Sequence, residues 1–262
     1  MEQKKIKVMT VFGTRPEAIK MAPIVLELQK HPDTIVPVVA VTAQHREMLD
    51  QVLNLFHIKP DHDLNIMAAG QTLFDITTRA MMGLDKVLTE EKPDIVLVHG
   101  DTTTTFAGAL AAYYHQTAVG HVEAGLRSGD MRMPEEINRL VTDSISDWFF
   151  CTEPAGVDNL LREGKNPAAV FHVGHVMVDN LLYQRDQLAA AGQASPESEA
   201  LKQQFPRYGV VTLHRPSNVD DEQNLHAIAG ALRDIAGELP LIFPVHPRTR
   251  GNLEKFGLDL GP

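Results

Sequence analysis

The chain has 262 residues, of which 44% are hydrophobic and 22% are charged, so it can bury one large core or two modest ones. Its formal net charge of -10 argues against nucleic acid or an anionic membrane surface as the main partner. No apolar run reaches the length of a membrane span, and the N-terminus runs directly into a strand pattern. Cys151 is the single cysteine, which excludes an internal disulfide and predicts a buried thiol in a cytoplasmic protein.

Strand and helix patterns alternate along the first part of the chain, which predicts an α/β fold with a parallel sheet covered on both faces. The predicted strands are Ile6 to Phe12, Ile35 to Thr42, Asp94 to Gly100, Ala118 to Glu123, Trp148 to Thr152 and Val170 to Val173. The predicted helices are Met21 to Lys30, Glu47 to Phe56, Leu73 to Thr89, Thr104 to His115, Glu135 to Ser146, Val157 to Arg162 and Val176 to Ala191.

A second α/β pattern begins after the polar stretch GQASPESE, which we interpret as a connector. Its predicted elements are a strand from Tyr208 to Leu213, a helix from Asn224 to Glu238, a strand from Leu241 to Val245 and a helix from Leu253 to Phe256. Two βα units are fewer than an open nucleotide-binding sheet needs. We therefore expect a first domain over 1–174, a connecting helix and linker over 175–206, and an incomplete second domain over 207–262.

The first predicted strand ends in GTRPEAIK, a turn that leads into a helix. Gly13 permits the sharp exit, and the fixed φ of Pro16 suits a first helical turn. Free backbone N–H groups at this helix start, beside Arg15 and Lys20, would attract an anion such as a phosphate. The alternative is a capped helix whose charged side chains are solvated.

Carboxylates stand at two further strand ends, where ligands bind in open α/β sheets. Asp101 follows one strand in HGD, and HVEAGLR ends the next strand with Glu123 and Arg127. The helix in MPEEINR carries Glu135, with Arg139 one turn further along the same face. Each has a structural alternative: Asp101 as a helix cap, Glu123 in a surface pair with an arginine, and Glu135 as a complement to the helix dipole.

The second domain places a histidine and an arginine after each of its two predicted strands. TLHRPSNVDD carries His214 and Arg215, and FPVHPRTR carries His246, Arg248 and Arg250. A lone histidine is usually structural, but two such segments favour anion recognition. If the two domains oppose each other, His214 and Arg215 face the cleft between them.

Several familiar motifs are absent from the sequence. It contains no G-x-G-x-x-G after the first strand, no P-loop and no G-x-S-x-G elbow, and its histidine spacings do not form a familiar zinc site. We therefore expect no dinucleotide cofactor and no required metal. The carboxylates Asp101, Glu123 and Glu135, together with the nearby cations, predict an acid/base site combined with an anion clamp.

The segments GTRPEAIKMAP, HGDTTTT, HVEAGLRSGD, MPEEINR, TLHRPSNVDD and FPVHPRTR, in this order and spacing, resemble the non-hydrolysing bacterial UDP-N-acetylglucosamine 2-epimerases. The resemblance implies two facing Rossmann-like domains of the glycosyltransferase-B type, with UDP held mainly by the C-terminal one. It also implies reversible conversion of UDP-N-acetylglucosamine to UDP-N-acetylmannosamine for bacterial surface polysaccharide synthesis. The serine-glycine-glycine turn and the acidic ribose contact of the family are absent from residues 1–262.

The resemblance further implies a mechanism in which UDP is eliminated to leave 2-acetamidoglucal and is then added back with the configuration at C2 inverted. By their match to the family motifs, the implied catalytic residues are Asp101, Glu123, Glu135 and His214. The residues implied to bind the substrate and stabilise its departing diphosphate are Arg15, Lys20, Arg139, Arg215 and His246.

Some bacterial members of this family bind a second UDP-N-acetylglucosamine as an activator. Gln44, His45 and Arg46 fit the helix start at which it binds, whereas Glu47 and Gly70 differ from the usual polar and basic partners.

We also expect a homodimer through the first domain. The predicted helix Leu73 to Thr89 carries more apolar surface than one helix face can bury against a sheet, in Phe74, Ile76, Met81, Met82 and Leu84.

Two other functions fit the same residues. A hydrolysing epimerase would use the same elimination but would release UDP and free N-acetylmannosamine. An inactive module that only binds a nucleotide sugar is consistent with an incomplete second domain. A turnover assay combined with UDP calorimetry would distinguish the three.

Overall fold

The computed structural model describes residues 4–43, 46–68, 70–191 and 196–261. Contacts divide the chain into a first unit, Met1–Asp186, and a second unit, Gln187–Pro262. Within the described residues, no helix combines the length and the apolar character that crossing a membrane requires.

The first unit is built on a parallel sheet. Its strands are β1 (Ile6–Phe12), β2 (Ile35–Val41), β3 (His62–Asp63), β4 (Ile95–His99), β5 (Ala118–Val122), β6 (Trp148–Cys151) and β7 (Val170–His172). They pair in the order β3-β2-β1-β4-β5-β6-β7, and every described pairing is parallel. The order therefore reverses between β1 and β4, and ligands bind at such switch points, beyond the carboxyl ends of the strands.

Helices cover both faces of this sheet. They are α1 (Arg15–Gln29), α2 (Arg46–Leu55), α3 (Leu73–Glu91), α4 (Thr103–Tyr114), α5 (Pro134–Ile145), α6 (Pro154–Arg162) and α7 (Val176–Ala191). Alternate residues of β1 serve the two faces: Val8 and Phe12 join one buried cluster with α1 and α2, while Met9 and Val11 join another with α3 and α4. Burial on both faces explains the continuous apolar runs of these strands.

The predicted strands of the first unit are confirmed, with ends that differ by a residue or so. The first helix was predicted too short, because a capping box between Thr14 and Glu17 starts it at Arg15. Strand β3 was not predicted, because only two of its residues pair with β2. Cys151 is buried as predicted, and burial raises the pKa of its thiol to about 11.

The second unit contains α8 (Pro196–Gln204), β8 (Gly209–Val210), α9 (Pro216–Val219), α10 (Glu222–Ala236), β9 (Leu241–Ile242) and α11 (Pro247–Lys255). The prediction of a connector through GQASPESE is wrong from Pro196 onward, where α8 begins. The strands β8 and β9 are shorter than predicted, because they pair only with each other among the described residues. The buried apolar cluster of this unit is also small, consisting of Val219, Leu225 and Leu253.

The predicted domain limits stay a prediction. One contact bears on the position of α7: the Asn180 side chain donates a hydrogen bond of 2.6 Å to the backbone oxygen of Ile19. Because Asn180 is itself buried, the N-terminal half of α7 belongs by contact to the first unit.

Gly125 follows β5 in a tight turn that no other residue type fits. Its φ is +81°, and a Cβ on it would lie 2.2 Å from the backbone oxygen of Gly156. We expect Gly125→Ala to lower the free energy of unfolding by about 2 kcal/mol or more in urea titrations. Gly129→Ala is the matched control, since its φ is +75° but a Cβ there meets no atom within 4 Å. Equal losses in the two variants would contradict the role of the Gly156 contact.

Candidate active site

The start of α1 lies at the carboxyl end of β1, where the sequence predicts an anion site. Here Glu17 is buried, and its Oε2 accepts hydrogen bonds from the backbone N–H groups of Gly13 (3.0 Å) and Thr14 (2.7 Å). The other oxygen, Oε1, accepts from the hydroxyls of Thr102 (2.6 Å) and Thr105 (3.2 Å). The prediction of free N–H groups at this helix start is therefore wrong for Gly13, Thr14 and Glu17, whose N–H groups donate to the Glu17 carboxylate and the Thr14 hydroxyl.

Two cations of α1 remain for an external anion. Arg15 is exposed and has no ion-pair or hydrogen-bond partner among the described residues. Lys20 is directed towards the end of β5, where its Nζ lies 2.6 Å from Oε2 of Glu123. An anion at this helix would thus be bound by side chains and not by the backbone.

Glu123 is the best-defined candidate catalytic group. It follows β5 with a φ of 69°, in the left-handed region that non-glycine residues rarely adopt, and such conformations concentrate at functional sites. Its Oε2 is also 2.9 Å from Nε2 of His99, which is buried but not aligned for a hydrogen bond. Its Oε1 lies 3.6 Å from Nε2 of His175. The carboxylate thus lies among three groups from three different segments.

The electrostatics of Glu123 follow from this placement. Burial acts to raise the pKa of the carboxyl, but the nearby His99 and Lys20 outweigh it and lower that pKa from 4.5 to about 2. The side chain is only 11% exposed, so the Lys20 ion pair is poorly screened by water. Glu123 is therefore ionised at neutral pH, and its charge is balanced by its neighbours.

A second carboxylate and cation pair lies at the end of β4. Oδ2 of Asp101 pairs with the guanidinium of Arg139, which also pairs with Oε2 of Glu136. Glu136 is buried and accepts hydrogen bonds from the backbone N–H groups of Ser128 and Gly129. These contacts tie the loop after β5 to α5 and hold Arg139 in place.

The neighbouring Glu135, which was predicted as a third acid/base group, is exposed and has no ion-pair or hydrogen-bond partner among the described residues. Arg139 thus pairs with Glu136 and not with Glu135. The catalytic role of Glu135 stays a prediction. Its solvent-facing position leaves the carboxylate available to a ligand that enters from outside the unit.

A buried polar network of His121, Asp143 and Arg127 lies next to the site. Nδ1 of His121 lies 2.6 Å from Oδ1 of Asp143, and its Nε2 lies 2.7 Å from the backbone oxygen of Gly100. The ring of His121 thus contacts an acceptor through each of its two nitrogens. Asp143 also pairs with Arg127 at 2.7 Å. His121 therefore fixes the Gly100 turn that precedes Asp101, and Arg127 has a structural role.

Two of the candidate acid/base groups, Asp101 and Glu123, share one cavity of about 100 Å³. Its lining includes Lys20, His99, Asp101, Glu123 and Arg139. Sites for whole small-molecule ligands are usually about 300 to 1,000 Å³. The cavity of the first unit therefore fits only the reacting part of a larger ligand.

The candidate residues of the second unit cluster separately. The rings of His214 and His246 lie 5.6 Å apart, and both side chains are exposed. His246 caps α11, where its Nδ1 accepts a hydrogen bond from the N–H of Arg248. Arg215 is exposed and has no side-chain partner among the described residues. The two histidine segments of this unit thus lie side by side, and their role in anion recognition stays a prediction.

The proposed activator site is only partly described. Gln44 and His45 lie outside the described residues. Arg46 pairs with Asp50 (3.1 Å) and Asp63 (2.5 Å), so its charge is already neutralised. The activator site stays a prediction.

Sequence reasoning did not assign His175, Glu136 or Asp143. Glu136 is adjacent to Glu135, which the sequence did assign. The two differ in burial, because Glu136 is buried and Glu135 is exposed. Asp143 falls on the inward face of an amphipathic helix, where a carboxylate signals a buried partner. His175 follows the last strand of the sheet by three residues, and the same strand-end rule would have included it.

This architecture defines a class: an α/β protein whose carboxylates, paired with cations, converge at the switch point of a parallel sheet. The model of the UDP-N-acetylglucosamine 2-epimerase family matches residues 26–259. A UDP-N-acetylglucosamine 2-epimerase of Bacillus subtilis is 50% identical over 248 residues, covering 93% of this chain. The chain belongs to the UDP-N-acetylglucosamine 2-epimerase family, which confirms the resemblance in its motifs.

Solved structures agree with this assignment. The fold matches a UDP-N-acetylglucosamine 2-epimerase from Listeria monocytogenes with a TM-score of 0.84 and 44% identity, over 97% of this chain and 66% of that one. It matches the Neisseria meningitidis UDP-GlcNAc 2-epimerase bound to UDP-GlcNAc with a TM-score of 0.80 and 43% identity, over 96% and 69%. The predicted α/β class with Rossmann-like units of the glycosyltransferase-B type is confirmed. The chain spans 63% of the length of the Bacillus subtilis relative.

Proposed function

We propose that this protein is an isomerase that interconverts UDP-N-acetylglucosamine and UDP-N-acetylmannosamine, for bacterial surface polysaccharide synthesis in the cytoplasm. The observation that carries the proposal is Glu123, an ionised carboxylate held in a left-handed backbone conformation beside Lys20. Its position in the shared cavity, in a chain of this family, supports a role in proton transfer. The relatives are named for this activity, and the Neisseria structure holds UDP-GlcNAc.

The chemistry requires more than direct removal of a proton. The C2 hydrogen of the sugar has no adjacent carbonyl, so the carbanion would not be stabilised. Loss of the C2 proton together with cleavage of the C1–O bond forms a C1=C2 double bond and releases UDP with the electron pair. Re-addition of UDP, with a proton delivered to the opposite face of C2, completes the inversion.

We assign the roles on the basis of position. Glu123 and Asp101 move protons, because both stand at strand ends in the same cavity. Glu135 supplies a third carboxylate. Cations stabilise the diphosphate in the transition state, and the second unit contributes the remaining contacts. The proposed diphosphate and nucleotide contacts are Arg15, Lys20, Arg139, His214, Arg215 and His246.

The test uses a completed chain, which we define as residues 1–262 joined to the part of the Bacillus subtilis relative that follows its match to this chain. Incubation with UDP-N-acetylglucosamine should yield UDP-N-acetylmannosamine, detected by NMR, with no accumulation of free N-acetylmannosamine. Free N-acetylmannosamine with UDP would instead show the hydrolysing reaction, which the named relatives do not support. Binding of UDP without turnover would contradict the enzyme proposal.

We also propose that the protein is a homodimer through the first unit. In α3, Ile76 and Leu84 are buried, whereas Phe74 is 77% and Met82 is 70% exposed. Large apolar side chains exposed on one helix favour an interface. We expect a dimer mass by light scattering at micromolar concentration, and monomers for the double variant Phe74→Glu, Met82→Glu. Leu161→Glu, on α6, is the control and should leave the dimer intact.

A further inference from the structure

Lys20 is the cation that connects the candidate base to the candidate anion site. Among the described residues its partner is Glu123, with Nζ 2.6 Å from Oε2. Its side chain is 23% exposed and lines the cavity. Lys20 therefore reaches the carboxylate from a position that a ligand in the cavity can also contact.

The other cations of the site differ from Lys20. Arg139 forms ion pairs with two carboxylates, those of Asp101 and Glu136. If one of these pairs breaks, the other still holds the guanidinium in place. Arg15, at the start of the same helix as Lys20, is exposed and has no partner among the described residues. A lysine carries a compact charge on a flexible stem of four carbons, so it can change partner with a small movement. Lys20 and Arg15 together can thus bind an anion at the start of α1.

The ion pair creates a chemical conflict for the proposed reaction. A general base works best when its pKa lies near the working pH. Burial acts to raise the pKa of Glu123, but His99 and Lys20 together hold it at about 2, so the unliganded carboxylate is a weak base. The groups that face Glu123 are Lys20 from α1, His99 from β4 and His175 ahead of α7. Two of these groups, Lys20 and His99, lie within 3 Å of Oε2 and line the cavity. The His99 ring is buried, whereas Lys20 is partly exposed and has a flexible stem that can change partner.

We propose that Lys20 is exchanged between Glu123 and the diphosphate of the bound nucleotide sugar, so that Glu123 becomes a competent base only in the complex. The identity of the ligand rests on the proposed function. When the C2 proton moves to Glu123, the carboxylate loses its negative charge. The electron pair of the C1–O bond simultaneously adds a negative charge to UDP, whose diphosphate Lys20 already contacts. Binding of the substrate therefore makes Glu123 a stronger base and places Lys20 where the new negative charge develops.

The test measures the pKa of Glu123 in the present chain by carbon-13 NMR of labelled glutamate carboxyls, with the signal assigned by Glu123→Gln. Lys20→Gln should raise this pKa by about 1 to 3, since it removes an opposite charge in contact with the carboxylate. Lys20→Arg should keep it low. Lys30→Gln, which removes an exposed cation paired with Glu27 at the end of the same helix, should leave it unchanged.

The exchange itself is tested with inorganic pyrophosphate. Saturating pyrophosphate should raise the pKa of Glu123 in the wild type and should add nothing in Lys20→Gln. A Glu123 pKa that is the same in Lys20→Gln, or that pyrophosphate leaves unchanged in the wild type, overturns the proposal.

The outcome is independent of the proposed activity. If pyrophosphate raises the pKa of Glu123 but the completed chain does not epimerise UDP-N-acetylglucosamine, the exchange stands and the substrate assignment fails. If the completed chain epimerises but pyrophosphate leaves that pKa unchanged, the exchange fails and the function stands.

Discussion

Glu123→Gln or Asp101→Asn in the completed chain is expected to lower kcat by about 100-fold or more while UDP binding stays nearly intact. The amide that replaces either carboxylate cannot accept a proton from C2, although it keeps the size of the side chain. Both groups lie in the first unit, whereas the resemblance places most UDP contacts in the second. The measurements are steady-state kinetics and UDP calorimetry.

The control for these variants is Glu27→Gln, which removes an exposed carboxylate on α1 outside the cavity. It should leave kcat unchanged. Near-normal exchange of the C2 hydrogen with solvent deuterium in Glu123→Gln would remove Glu123 from the mechanism, and the same result in Asp101→Asn would remove Asp101.

The present chain by itself is expected to show no measurable turnover, a loss of at least about 100-fold against the completed chain. In the second unit, β8 and β9 have two residues each and pair only with each other among the described residues. Parallel sheets normally need covered faces and neighbouring strands, so we expect His214 and Arg215 to be poorly held. The chain spans 63% of the length of the Bacillus subtilis relative, and we expect the remaining length to supply binding energy that positions the sugar.

Hydrogen exchange checks the structural part of this prediction. Backbone amides of the second unit, from about Tyr208 onward, should exchange faster than those of β1 and β4, because their buried core is small. Equal protection in the two units would contradict the structural argument.

Readily measurable epimerisation by the present chain would show that the remaining length of the relatives is dispensable or is supplied by a partner.

The sequence predicted the parts of the fold that depend on local patterns. The strands of the first unit are apolar runs that end in glycine or polar residues, and this pattern placed Asp101 and Glu123 at the correct edge of the sheet. The local pattern did not predict strands whose extent depends on pairing with a neighbouring strand. Strand β3 exists only because His62 and Asp63 pair with β2, and β8 is short because it has a single strand neighbour among the described residues.

The candidate site was predictable only in part, for a related reason. Which carboxylate faces inward depends on packing, so the sequence selected Glu135 but could not separate it from the buried Glu136. The expected backbone part of the anion site at the start of α1 failed, because the N–H groups of Gly13 and Thr14 donate to the Glu17 carboxylate. His175 reaches Glu123 across 52 positions of the chain, and no local pattern reveals such a contact.

The most direct test of the central claim is epimerisation by the completed chain in deuterium oxide, with UDP-N-acetylglucosamine as substrate and the product read by NMR and mass spectrometry. We expect UDP-N-acetylmannosamine that carries solvent deuterium at C2, because separate proton transfers on the two faces expose the proton to exchange. The Glu123→Gln variant should form this product at least about 100-fold more slowly. UDP-N-acetylmannosamine formed at the wild-type rate by Glu123→Gln, or no epimerisation by the completed wild-type chain, would contradict the account.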